Sequence, residues 1–328
     1  MEVCGTHTMS IFKHAIRDLI PDTVELISGP GCPVCVTQAE VVENAIYASL
    51  QKDTILVTFG DMLKVPGING ISLCECGGNV KMIFSPLDVL TIAENNPDKT
   101  VVLLAVGFET TTAGYAVALQ KAAVKGLHNL KLITSLKRVV PVIDALLSDP
   151  ECSIDAFILP GHVSVIIGAV AYEPLLRKYP IPCAITGFEA DEILLSVKSI
   201  IHQIADGKPQ IDNCYKSVVA YDGNIMANEM LESVFTVQDE KFRGLGVIPQ
   251  AGYRLNEQYA MFAYPLNEYE DANEICRCGD VLRGRIKPTQ CPYFAEDCNP
   301  LNPIGPCMVS SEGACGIYYR FSDRSNEL

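Results

Sequence analysis

Two short stretches near the start of this 328-residue chain could do thiol chemistry. Cys32-Pro-Val-Cys35 spaces two thiols as a dithiol that cycles with its disulfide, and a position between a strand and a helix N-terminus would favour its thiolates. Cys4-Gly-Thr-His7 spaces a thiol and an imidazole by three residues, one face of a helical turn. A thiolate there suits an iron with strong-field ligands, and a nearby base could take its proton. The tail holds six more cysteines, Cys276, Cys278, Cys291, Cys298, Cys307 and Cys315, set among turn formers. Four thiolates could ligate a four-iron cluster and leave a dithiol beside it, with a four-thiolate zinc site as the alternative. Cys74-Glu-Cys76 has too short a gap to chelate one zinc comfortably, and Cys152, Cys183 and Cys214 read as small core residues.

Asp61, Lys64, Glu109, His162, Ser164 and Glu189 fall in the loops that follow strand-like runs. Taken singly, such residues are more often caps or solvated loop groups, and His162 in Pro-Gly-His-Val-Ser is the best placed. No Gly-x-x-x-x-Gly-Lys-Ser/Thr segment is present to cradle a phosphate.

The elements that must hold these groups alternate. Apolar, β-branched runs predict strands over Thr23–Ser28, Thr54–Phe59, Asn79–Phe84, Thr100–Val106, Leu130–Thr134, Ile154–Leu159 and Ile181–Thr186. Amphipathic stretches predict helices over Val41–Leu50, Thr112–Val124, Pro141–Leu147 and Ala190–Ala205, and one beginning at Pro86. Thr37-Gln-Ala-Glu40 reads as a capping box. The pattern implies an α/β protein with parallel sheets and crossover helices. Gly107-Phe-Glu109 recurs as Gly187-Phe-Glu189, which suggests two similar Rossmann-like α/β domains. Past Asn213 the alternation fades into an irregular third domain. The expected division is an N-terminal segment (1–22), α/β domains over 23–112 and 113–212, and a cysteine-rich domain over 213–328. Ligands of open parallel sheets bind beyond the carboxyl ends of strands, where the loops above lie.

A net charge of −14 argues against nucleic acid and anionic membrane surfaces as partners, and no run of eighteen apolar residues is present. The N-terminus has neither the basic nor the apolar region of a signal peptide, so the expected setting is cytoplasmic, where structural disulfides are uncommon.

Together the segments Cys4-Gly-Thr-His7, Gly29-Pro-Gly-Cys-Pro-Val-Cys35, Ser85-Pro-Leu-Asp88, Gly107-Phe-Glu-Thr-Thr111, Pro160-Gly-His-Val-Ser164, Gly187-Phe-Glu189, Phe242-Arg-Gly-Leu-Gly246 and Cys307-Met-Val-Ser-Ser-Glu-Gly-Ala-Cys315 closely resemble the hydrogenase maturation factor HypD family, in order and spacing, over essentially the whole chain. The resemblance implies two similar α/β domains, a cluster-bearing third, and a scaffold rather than a simple turnover enzyme. On it the Fe(CN)2CO unit of [NiFe]-hydrogenase is assembled with a HypC-type small chaperone, while a HypE-type factor delivers cyanide. It implies Cys4 as the thiolate of the transient iron centre, shared with a cysteine of the chaperone. Cys32 and Cys35 would be the redox dithiol facing it, with His7 and His162 nearby, and Glu109 is a further candidate site residue. Cys276, Cys291, Cys298 and Cys315 would ligate a [4Fe-4S] cluster, and Cys278 and Cys307 would be an exchangeable pair. Cys74-Glu-Cys76 falls outside the family pattern. Family members carry a few tens of residues ahead of Cys-Gly-Thr-His where three precede it here, which puts the packing around Cys4 in question. An iron–sulfur protein disulfide reductase and a structural zinc protein are the competing expectations.

Overall fold

The computed structural model describes residues 1–270 and 275–322. A six-stranded sheet is built from β1 (Thr54–Phe59), β2 (Val80–Ile83), β3 (Thr100–Gly107), β4 (Leu130–Lys137), β8 (Phe235–Phe242) and β9 (Gly246–Leu255), in the order β2-β1-β3-β4-β9-β8. Its first four strands are parallel, whereas β9 runs antiparallel to β4 and β8. The second sheet is a parallel trio of β5 (Phe157–Pro160), β6 (Cys183–Thr186) and β7 (Ile211–Asn213). The helices are α1 (Gly5–Lys13), α2 (Ala39–Ser49), α3 (Asp88–Glu94), α4 (Glu109–Val124), α5 (Val139–Ser148), α6 (Gly161–Ile167), α7 (Glu173–Lys178), α8 (Ala190–Asp206), α9 (Ile225–Val234), α10 (Cys278–Leu282) and α11 (Ala314–Ser322). The fold is therefore α/β with Rossmann-like sheets, as the alternation of runs implies.

Strand β3 explains where the cores sit. Its near-continuous apolar run is buried on both faces, as a central parallel strand requires. Val101, Leu103 and Ala105 pack with Val89 of α3 and with Tyr115 and Leu119 of α4. Val102, Leu104 and Val106 point the other way, into a core shared with α2 and with cysteines from both ends of the chain. That second face positions the site.

The structure departs from the sequence reading at four places. Residues 23–28 form no strand, since only Ser28 makes a bridge, to Glu2. Instead residues 1–3 run as an extended bridge: Glu2 N–H donates to Ile27 O at 2.9 Å and Val3 N–H to Ile158 O at 3.2 Å. That seating buries Met1, Glu2, Val3 and Cys4 and so answers how Cys4 is packed. The Thr37–Glu40 box does not form, because Thr37 Oγ1 turns back to donate to Pro33 O and meets Ser135 Oγ, leaving Gln38 at the N-cap of α2. A reciprocal box forms instead between Glu189 and Glu192 at the start of α8. Around Ser85-Pro86 the helix starts at Asp88, whose carboxylate takes the N–H groups of Phe84 and Ser85.

The fourth departure is the β8–β9 hairpin. Residues 235–255 read as irregular because β8 carries Asp239, Glu240 and Lys241 in a row and β9 is broken by Pro249, Gln250 and Gly252, yet they extend the first sheet. Its β4 edge is sealed through Leu136–Tyr253 and Lys137–Gly252 pairing. Strand β4 also belongs to the first sheet, to which the chain returns with β8 and β9 after building the second. The remainder of the tail carries only short helices. Among the described residues no helix is long and apolar enough to cross a membrane.

Candidate functional site

Cys4 caps α1, with extended backbone (φ −151°) ahead of the first helical residue. Burial pushes its thiol up to about 12, the Glu312 carboxylate adds to that rise, and the first N–H groups of the helix, of His7 and Thr6, pull the other way. Two glycines make this packing possible. A Cβ on Gly31 would stand 2.1 Å from Cys4 N, and one on Gly5 would stand 2.3 Å from Glu312 O. The Gly29-Pro-Gly loop thus lies directly on the Cys4 backbone, and the tail segment 310–312 lies on the start of α1. Thr6 Oγ1 donates to Glu312 Oε1 at 2.6 Å, and Ser311 Oγ donates to Asp61 Oδ2 at 3.0 Å.

His7 faces the carboxyl end of β6. Its Nε2 bonds Gly187 O at 2.9 Å, and since a carbonyl only accepts, Nε2 carries the proton. Nδ1 is then a buried lone pair with no hydrogen-bond partner. Burial lowers the imidazole to about 4, so it is neutral near pH 7. Phe188 is stacked between two imidazoles, with centroids 4.7 Å from His7 and 4.0 Å from His162. His162 stays exposed, and its ring is also lowered by burial. The loops after β5 and β6 therefore bring His7, Phe188 and His162 together, as expected of strand carboxyl ends.

Cys32 and Cys35 are both buried in the core on the α2 face of the first sheet. Cys278 and Cys307 are buried in the same core, and Cys76, Cys276 and Cys315 pack against it. Cys32 Sγ takes the Cys35 N–H at 3.2 Å and meets Ser310 Oγ at 3.3 Å. Cys307 lies between Cys315 and Cys35, and contacts with these two thiols draw it well below the usual thiol range. Burial and the Cys307 contact push Cys35 well above that range. Cys276 and Cys278 form a second such pair, with Cys276 lowered and Cys278 raised.

Cys276, Cys278, Cys291, Cys298 and Cys315 line one cavity, walled by apolar side chains including Val281, Phe294, Ile304 and Met308. The Ile304 N–H points at Cys298 Sγ from 3.4 Å. Soft thiol donors in an apolar, N–H-decorated pocket fit an iron–sulfur cluster, and the four cysteines expected as ligands are all in the lining. Among the described residues no three His, Cys, Asp or Glu side chains close on a single point as they would around one metal ion. Of the expected exchangeable pair, Cys278 lines the cavity while Cys307 faces Cys35.

The remaining candidates separate. Glu109 begins α4, accepts the Val139 N–H at 3.0 Å, keeps Oε2 buried without a partner, and is raised by burial to about 7. Glu189, in the repeated tripeptide, is instead a helix cap. Ser164 is buried on the Tyr172 hydroxyl at 3.0 Å. Lys64 lines a shallow cleft with Met308, Val309 and Ser310. Cys74 and Cys76 share one helical turn, but their sulfurs have different partners, Ser72 Oγ for Cys74 and the Leu73 carbonyl and Ser49 Oγ for Cys76. Sequence reasoning missed Phe188, Ser310 and Glu312. The repeated Gly-Phe-Glu and the Ser-Ser-Glu-Gly stretch carried the signal, but nothing in them said which side chain turns inward.

Comparison with known proteins shows the family of the chain. The HypD family model, described as "Hydrogenase formation hypA family", matches residues 1–322. Hydrogenase maturation factor HypD of Escherichia coli (strain K12) is 38% identical over 336 residues, covering 100% of this chain and 90% of that protein. The Rhodobacter capsulatus and Azotobacter vinelandii proteins of the same name are 39% and 38% identical, each covering 98% of this chain and 88% of the relative. The chain belongs to the HypD family.

Proposed function

We propose that this chain serves hydrogenase maturation as the scaffold on which the Fe(CN)2CO unit of [NiFe]-hydrogenase is assembled, with a HypC-type chaperone and a HypE-type cyanide donor as partners. One observation carries the reading: cysteines more than two hundred residues apart in sequence share one buried core that abuts the Cys4 turn. In this reading the iron being built is the substrate, and Cys4 supplies its thiolate from the N-terminus of α1. Its proton must leave for iron to bind, and His7 Nδ1 and the Glu312 carboxylate are the basic groups in this region. Phe188 and the two imidazoles offer a partly apolar wall beside that turn for small diatomic ligands.

Cys276, Cys291, Cys298 and Cys315 would hold a [4Fe-4S] cluster, and Cys278 and Cys307 would be the neighbouring thiol pair. When bound, such a cluster supplies one-electron chemistry. The protein's own thiols then offer a short path: Cys307 touches Cys35, and Cys35 is paired with Cys32. A stand-alone disulfide reductase would use the same sulfurs but leaves Cys4 and the His7–Phe188–His162 stack without a task.

The deciding experiment is infrared spectroscopy of the chain co-purified anaerobically with its HypC-type partner. Bands from iron-bound cyanide and carbon monoxide are expected, and their absence from a correctly assembled complex would overturn the scaffold reading.

A further inference from the structure

We propose that Ser310 is a positioning residue for the N-terminal dithiol, holding Cys32 as the sulfur that leaves when Cys307 attacks the Cys32–Cys35 disulfide. This rests on the thiol-exchange reading above and goes beyond it, because it fixes which sulfur is attacked and which departs. Cys307 is in contact with Cys35, so Cys35 is the sulfur within its reach. Two donors converge on Cys32. The Cys35 N–H is 3.2 Å from Cys32 Sγ, and the Ser310 hydroxyl is 3.3 Å away. Ser310 Oγ already accepts the Glu312 N–H at 3.2 Å, which leaves its own proton free to donate to sulfur. The hydroxyl is fixed in place, since Ser310 N–H donates to Pro306 O at 3.0 Å, Gly313 N–H donates to Ser310 O at 3.1 Å, and the side chain is buried.

The step balances within the protein. The Cys307 thiolate forms a bond to Cys35 as the Cys32–Cys35 bond breaks, and the electron pair stays on Cys32 as a thiolate. The second tail thiol, Cys278 in the reading above, then attacks Cys307 and releases Cys35, which takes the proton that Cys278 loses. Two electrons pass from the tail pair to the N-terminal pair. A better-stabilised leaving thiolate departs faster and favours the reduced pair.

The test is to equilibrate the full chain in glutathione buffers of graded ratio, quench with an alkylating agent, and read the Cys32–Cys35 disulfide by mass spectrometry. Ser310→Ala should move the dithiol–disulfide ratio roughly tenfold toward the disulfide, the size expected for one hydrogen bond to a charged sulfur, and Ser310→Thr should restore it. An unchanged ratio, or a shift that threonine does not reverse, overturns the proposal. If no Cys32–Cys35 disulfide forms at any ratio, the thiol-exchange reading fails and this inference fails with it.

A second measurement leaves Ser310 intact. On treatment with diamide, which takes up two electrons and two protons from a thiol pair, Cys32→Ala should accumulate a Cys35–Cys307 link. Cys35→Ala should form no Cys32–Cys307 link, and an equal yield of that link would overturn the assignment.

Discussion

The Cys4 turn and the sulfur core are both buried, yet they use burial in different ways. Around Cys4 a single thiol sits at a helix N-terminus within reach of the Glu312 carboxylate's field. Desolvation, helped by the Glu312 carboxylate, keeps that thiol protonated, so a proton must leave as a ligand arrives. In the core, thiols meet thiols, and acidity is shared in pairs: Cys307 is lowered beside the raised Cys35 and Cys315, and Cys276 is lowered beside the raised Cys278. On the proposed function, the Cys4 turn would be the holding station for iron and the sulfur core the exchanging one.

The sharpest way to break that contrast is to remove one sulfur from each region. Cys4→Ala should abolish the infrared bands of iron-bound cyanide and carbon monoxide in the partner complex while leaving thiolate-to-iron absorption of the tail intact. Cys298→Ala should do the reverse to the absorption of the anaerobically purified chain. Loss of both signals in both variants would show one site rather than two.

Two buried titrating groups give the next largest effects, with opposite signs. His7 is lowered from 6.5 to about 4, so its contribution to stability is complete above pH 6.5 and is lost as pH falls toward 4. That loss amounts to at most about 3 kcal/mol. His7→Gln, which keeps a donor for Gly187 O, should flatten urea-unfolding stability across that window. Glu109 is raised from 4.5 to about 7, so its contribution is complete below pH 4.5 and is lost as pH rises through 7. Glu109→Gln should therefore stabilise the protein at pH 8 by up to about 3 kcal/mol. No gain at pH 8 would mean that the carboxylate is solvated in a way its burial does not suggest.

Smaller again is the effect of overfilling the joint between the two regions. Gly31→Ala places a methyl 2.1 Å from Cys4 N and should cost about 1–3 kcal/mol in denaturant unfolding. The smallest effect is expected at Cys74, which is exposed and whose sulfur meets Ser72 Oγ. Cys74→Ser should change stability by less than about 0.5 kcal/mol and leave both spectroscopic signatures in place. A loss of tail absorption in that variant would draw Cys74 into the sulfur core.

Much of this was legible in the sequence, for reasons that differ by element. Strand β1 falls on the expected residues, and β3 extends its expected span by one, because a fully buried parallel strand is an unbroken apolar run. The β8–β9 hairpin was not legible, because three consecutive charges in β8 and the Pro249, Gln250 and Gly252 of β9 look like loop composition and their burial does not alternate. Residues 23–28 misled for the converse reason: their composition suits a strand, but only Glu2 pairs with them, at Ser28.

By itself the sequence determined the α/β class and which residue types could do chemistry, since these follow from local periodicity and from the intrinsic reactivity of thiols and imidazoles. It also specified Gly31 and Gly5, without saying what they make room for. Tertiary structure alone decided that Cys307 meets Cys35, that Cys32 receives the Ser310 hydroxyl, and that Phe188 separates His7 from His162. Those pairings span up to about three hundred residues, and no local rule relates side chains that only the packing of two sheets and a tail brings within reach.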